Sequence, residues 1–194
     1  MTLPLLPAFL VLWAIVLFQG LIILGLVRTH RELQDAVESG RLPRRLPVGA
    51  QGPDFRGTDL RTGAEIDSSE LTGRELVILF LSRGCPYCRR LADGTRQVPV
   101  EPRQTRIAVC QGDAREATTF VDLLASDVAV LADPDGAVFS SFAITSTPAA
   151  VVVDETGRVS GSGGPHHSGE LAALISTARS SVAGIDQPVP AITR

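Results

Sequence analysis

From residue 8 to residue 27 the chain reads AFLVLWAIVLFQGLIILGLV, twenty positions without a charge, and Gln19 is the only strongly polar side chain among them. At about 1.5 Å of rise per residue such a helix is about 30 Å long, the thickness of a bilayer core. The pattern predicts an N-terminal transmembrane anchor over residues 1–30, with Pro4 and Pro7 confining the helix to the stretch that follows them. A cleaved secretory signal fits poorly, because the run is too long, no basic segment precedes it and no A-x-A site stands before Arg28. Residues 31–47 turn polar. Leu33 and Val37 allow a short helical continuation, and Gly40, Pro43 and Pro47 break it, which predicts a juxtamembrane stalk and linker.

Between residues 48 and 183 the pattern alternates between strand and helix signals. GPDFRGTDLRTGAEID reads as a hairpin turning at Arg61-Thr62-Gly63. Glu75 to Leu81, ELVILFL, is a near-continuous apolar run, the mark of a strand buried on both faces. A short helix opens at the next segment, CPYC, and stops near Gly94. Further strands are expected at Arg106–Cys110, Val128–Leu131 and Ala149–Val153, with Arg158–Ser160 paired to the last through the Asp154–Gly157 turn. Helices are expected over 113–125 with Asp113 as its cap, over 137–143, and over 170–180 with Leu171, Leu174 and Ile175 facing in. The order predicts an α/β domain, a sheet covered by helices on both faces, followed by a loose Pro-rich tail over 184–194.

Composition narrows the function. A net charge of −3 supplies no field that would draw the chain to nucleic acid. All 18 basic residues are arginine, and the absence of asparagine removes any N-glycosylation acceptor. Three cysteines, Cys85, Cys88 and Cys110, are too few for a disulfide scaffold, so the core must come from apolar packing.

Cys85 and Cys88 sit where a buried strand ends and a helix begins. Pro86 then falls at the first helical position, which tolerates proline. The helix start aims free N–H groups and a partial positive charge at Cys85, favouring the nucleophilic thiolate, and Arg83, Arg89 and Arg90 add basic side chains nearby. Cys88, one turn on, can close a disulfide with Cys85, so Cys85 attacks and Cys88 resolves the mixed disulfide. A metal site needs more ligands than one CxxC, and His30, His166 and His167 complete no zinc spacing, so neither metal nor cofactor is expected. His166 and His167 lie in the glycine-rich segment GSGGPHHSG, which could approach the cysteines. Cys110 reads as a buried strand residue. Thr147-Pro148, just before a buried strand, is a candidate cis-proline.

These pieces, VGAQGPDF with its hairpin, SSELTGRELVILFLSRGCPYC and TPAAVVVDETGRV, resemble the thioredoxin superfamily, most closely the membrane-anchored TlpA/ResA-type and MauD-type thioredoxin-like proteins. The resemblance covers roughly Val48 to Ala183 and implies a thioredoxin-like fold with a central mixed sheet. It implies Cys85 as nucleophile, Cys88 as resolving thiol and Pro148 as the cis-proline beside the disulfide, supported by Pro86, Tyr87 and Thr147. The implied activity is thiol–disulfide exchange with client protein thiols and disulfides and a further redox partner. Three positions depart from the family pattern. Leu79 stands where many thioredoxins carry a buried acid, Gly84 where a tryptophan often precedes the first cysteine, and the Asp93-Gly94 region where a proline often kinks the helix.

GPDFRGTDLRTG and LTGRELVILF also resemble peroxiredoxins of the AhpC/TSA type, although Ser82 replaces the threonine expected three residues before a peroxidatic cysteine. A tethered thiol chaperone or cofactor-delivery module is the non-enzymatic alternative, and it would tolerate loss of Cys88. The side of the membrane is a conflict. Arg28, Arg31, Arg41, Arg44 and Arg45 after the span favour the cytoplasm by the positive-inside rule. The resemblance implies an extracytoplasmic domain on a single-pass cell-membrane anchor.

Overall fold

The structure, a computed structural model, describes residues 9–10, 13, 17–19 and 46–185. The chain divides into two compact units, Met1–Arg44 and Arg45–Arg194. In the first, the described residues Phe9, Leu10, Trp13, Leu17 and Phe18 are helical and exposed. Phe9 and Trp13, one turn apart, meet edge to face at 6.2 Å. The rest of the expected span, stalk residues 31–45 and the tail from 186 lie outside the described residues. No helix among the described residues is long and apolar enough to cross a membrane.

The second unit begins with a hairpin, β1 (Arg56–Thr58) and β2 (Glu65–Asp67), paired antiparallel. Then follow β3 (Glu75–Ser82), α1 (Pro86–Gly94), β4 (Gln104–Gln111), α2 (Ala114–Val121), β5 (Val128–Asp133), α3 (Ala137–Ser141), β6 (Ala149–Val153), β7 (Val159–Gly163) and α4 (Ser168–Ile185). The five-stranded sheet has the order β5-β4-β3-β6-β7. β3, β4 and β5 run parallel, whereas β6 and β7 are antiparallel to their neighbours, so the sheet is mixed.

β3 is central, and both of its faces are covered. Val77, Leu79 and Leu81 pack with Cys88 and Leu91 of α1, Phe120 of α2 and Leu171 and Ile175 of α4. Leu76, Ile78 and Phe80 pack on the other side with Phe55, Phe139 and Phe142. This two-sided burial is why ELVILFL is apolar at successive positions rather than alternating.

Polar clips lock the layers. The Asp59 carboxylate accepts from the Val130 N–H at 2.9 Å and from the Thr62 hydroxyl at 2.6 Å, fastening the hairpin to β5. Arg106, buried in β4, bonds Asp127 at 2.6 Å and donates to the Thr95 and Val98 carbonyls. Arg179 of α4 reaches Glu75 at 2.8 and 2.9 Å, tying the last helix to the start of β3.

The helix after β4 is shorter than its sequence pattern. Asp113 caps it as expected, accepting from the Glu116 N–H at 2.9 Å, but the backbone tightens at Asp122 and the Ala125 N–H goes to the Thr95 hydroxyl instead. The last helix is longer, starting at Ser168 and running to Ile185. Single 3₁₀ turns at Ser68–Leu71 and Thr95–Gln97 have no signature in the hydrophobic pattern.

Candidate active site

β3 ends at Ser82, and the chain turns through Arg83 and Gly84, with the Cys85 N–H donating to the Ser82 carbonyl at 3.2 Å. Cys85 is the N-cap of α1, with extended backbone (φ −95°, ψ 113°), and Pro86 occupies the first turn. The Cys85 sulfur takes the place of a capping oxygen: it accepts from the Cys88 N–H at 3.3 Å. Its own S–H points at the Thr147 carbonyl, 3.4 Å away, a bond that belongs to the thiol and is given up on ionisation. The Thr147–Pro148 peptide bond is cis, and Pro148 is buried. The Thr147 and Ser82 hydroxyls bond each other at 2.8 Å, linking the end of β3 to the loop before β6.

The two thiols are driven apart in acidity. Burial pushes Cys85 up, but hydrogen bonds from the Cys88 thiol and N–H, from Thr147 and from the Tyr87 N–H together outweigh it and hold Cys85 below the ordinary thiol range. Burial, together with its bond to Cys85, pushes Cys88 up to about 11. Cys85 is half-buried and Cys88 fully buried. One sulfur is therefore ionisable and reachable, while its neighbour stays protonated behind it. Thiol–disulfide exchange by a pair of cysteines calls for such a difference in acidity and access.

Residues 47–165 fit the family model described as Redoxin. The chain belongs to the Redoxin family. Its fold is thioredoxin-like, as solved structures show. A protein from Chlorobium tepidum assigned as the thiol:disulfide interchange protein DsbE has 19% identity and a TM-score of 0.61, the match covering 71% of this chain and 99% of that one. Mycobacterium tuberculosis dsbF, solved in mixed oxidised and reduced forms, has 27% identity and a TM-score of 0.56, covering 64% of this chain and 94% of that one. A secreted disulfide oxidoreductase of the same organism, homologous to Escherichia coli DsbE, has 25% identity and a TM-score of 0.55, covering 63% and 94%. No curated protein matches this redoxin by sequence.

The remaining candidates fall around the helix start. Tyr87 is exposed, its ring 4.9 Å from that of His166 and 5.9 Å from the Arg90 guanidinium. The glycine-rich segment thus does reach the cysteine helix. Glu170 organises that segment, accepting from the His166 N–H at 2.7 Å and lying 3.2 Å from the His167 ring. Nothing in the sequence pattern singles out Glu170 or the Ser82 hydroxyl for these roles.

Cys110 is fully buried beside the same core as Cys88, and burial, with a smaller contribution from Cys88, pushes it up to about 12. Leu79 is fully buried on the Cys88 side of β3, so no carboxylate stands there to take the Cys88 proton. Gly94 ends α1 where a Cβ would meet the Ser168 side chain at 3.1 Å, and glycine lets α1 finish against the start of α4. Among the described residues no three His, Cys, Asp or Glu side chains gather as a metal site.

Proposed function

We propose that this thiol–disulfide oxidoreductase exchanges disulfides with client proteins through Cys85 and Cys88, from a single-pass membrane tether and on the extracytoplasmic side. The observation that carries the exchange chemistry is the split acidity of two cysteines one helical turn apart, with the lower one at the surface. The Cys85 thiolate attacks one sulfur of a client disulfide, that S–S bond breaks, and the departing client thiolate takes a proton. A mixed disulfide now joins client and Cys85. Cys88 then loses its proton and attacks the Cys85 sulfur, which expels the second client thiolate and closes Cys85–Cys88. Two electrons and two protons pass to the client, and the same steps reversed oxidise a client dithiol. Pro148, Thr147, Pro86 and Tyr87 shape the surface on which the client lies.

A macromolecular client is supported by the setting of the sulfur. Cys85 is half-buried and sits beside the exposed ring of Tyr87. The tether rests on the uncharged run over 8–27 and on the exposed apolar side chains of its described residues. The extracytoplasmic side draws support from the Mycobacterium tuberculosis relative described as secreted. The arginines after the span pull the other way, but large domains translocate largely regardless of flanking charge.

The test is a Cys88→Ser variant made in the protein's own host and run on a non-reducing gel. Without the resolving thiol the client remains bound to Cys85 as an adduct that dithiothreitol releases and that a Cys85→Ser, Cys88→Ser variant lacks. The trapped partner identifies the side of the membrane. A folded, expressed Cys88→Ser protein without any adduct would overturn the exchange reading and favour a tethered binding module.

A further inference from the structure

The chain carries a net charge of −3, yet residues 82–97 hold four arginines and a single acid, Asp93. Asp93 is spent on Arg96, 3.4 Å away. Arg83, Arg89 and Arg90 remain, all exposed. Arg83 stands two residues before Cys85, and Arg89 lies four residues after it, on the Cys85 side of the helix. Arg90 is held by the Tyr87 ring. Arg83 has only a loose ion pair, 3.7 Å from a half-buried Glu116. Among the described residues no acid lies within ion-pair distance of Arg89 or Arg90. Tyr87 and His166 add a tilted, exposed aromatic pair in the midst of them.

We propose that this rim of Arg83, Arg89 and Arg90 around an exposed Tyr87 selects clients whose reactive disulfide is flanked by acidic side chains. The proposal rests on the exchange reading above and names the class of substrate for that site. The argument is charge complementarity at short range. A locally basic rim on a protein of acidic balance attracts an acidic segment to the sulfur itself, while a basic segment meets like charge. The sulfur must stay open for chemistry, which favours a transient peptide segment over a permanent seat on an anionic membrane surface.

Two peptides of equal length, each with one disulfide and a fluorophore pair separated when it opens, decide the matter. One carries Asp and Glu beside its cysteines, the other Arg and Lys. The full chain, reduced and in excess in a nonionic detergent, is mixed with each, so that no further reductant is needed. The acidic peptide opens on the order of tenfold faster at low salt, and the ratio collapses in about 0.5 M salt. The R83S/R89S/R90S variant brings the low-salt ratio to about one, whereas the charge-preserving R83K/R89K/R90K variant keeps it, which an unfolded protein would not; loss of the ratio in both would overturn the role of the charges. Equal opening of both peptides by the unaltered protein would overturn the selectivity and leave the exchange reading standing. Failure to open either would overturn both. A variant that keeps the peptide ratio but no longer binds phosphatidylglycerol vesicles would make the rim a membrane seat and overturn the proposal.

Discussion

The thiol of Cys85 donates to the backbone carbonyl of Thr147 at 3.4 Å, joining residues 62 apart in sequence. The same threonine bonds Ser82 through its hydroxyl at 2.8 Å. Thr147 thus touches the reactive sulfur with its backbone and the end of the strand that delivers that sulfur with its side chain. The acidity of Cys85 is set by a loop far from it in the chain as well as by its own helix.

Alkylation should read that acidity directly. In the reduced chain near pH 7, iodoacetamide is expected to label Cys85 well ahead of Cys88, pushed up to about 11, and Cys110, pushed up to about 12. The Cys85 rate should titrate below that of an ordinary free cysteine. Tandem mass spectrometry locates the adduct, and a profile centred at or above the free value would contradict the structure.

Thr147→Val keeps the shape and removes the hydroxyl that favours the thiolate. Loss of one such bond, worth about 0.5–1.5 kcal/mol, should slow alkylation of Cys85 at pH 6 by roughly two- to tenfold. Ser82→Ala, which only frees Thr147 to turn, should do less. An unchanged rate in Thr147→Val would mean that the hydroxyl does not act on the sulfur.

Cys110 links redox-site packing to alkaline stability. Its folded value is raised, so its contribution is fully present below the unfolded value of about 8.5 and is lost as pH rises toward the folded value of about 12. In that window unfolding releases a proton, and stability should fall by about 1.4 kcal/mol per pH unit for this group. Cys88 adds a slope of the same sign. Urea unfolding under reducing conditions at pH 8.5 and pH 10 should show a shallower loss for Cys110→Ala than for the unaltered chain.

Glu75 acts in the opposite direction. Burial raises it, but bonds from Arg179 and Gln104 outweigh burial and hold it below the ordinary carboxylate range. Its contribution is therefore present above the unfolded value and is lost as pH falls through the folded one. Glu75→Gln should cost roughly 1–2 kcal/mol at pH 7, discounted because Arg179 is partly exposed, and the difference should narrow below pH of about 4. Thermal unfolding of both proteins at pH 7 and pH 3 measures it.

Much of the fold is local enough to read in advance. ELVILFL announces β3 because both faces of that strand are covered, and CPYC announces α1 because proline is tolerated only at its start. Asp113 announces its helix, since a cap needs only its own next three residues. What escapes are pairings between distant segments. Arg106 looks like one more strand residue, yet it is buried against Asp127 and two carbonyls from the turn after α1. Glu170 looks like an ordinary helix residue, yet it arranges the histidines beside Tyr87.

By itself the sequence determined the identity and spacing of the two thiols, the strand-to-helix step that exposes the first of them, and the charges around it. These follow from backbone rules that act over a few residues. The same rules point to Cys85 as the thiolate; only the tertiary structure decided what separates the two thiols in acidity. Burial of Cys88 on the inner face of α1, the approach of Thr147 to the Cys85 sulfur and the contact of His166 with Tyr87 depend on bringing β3, the loop before β6 and the start of α4 to one place. Acidity is a property of that three-dimensional environment, of which atoms replace water around a sulfur, and no short stretch of sequence contains it.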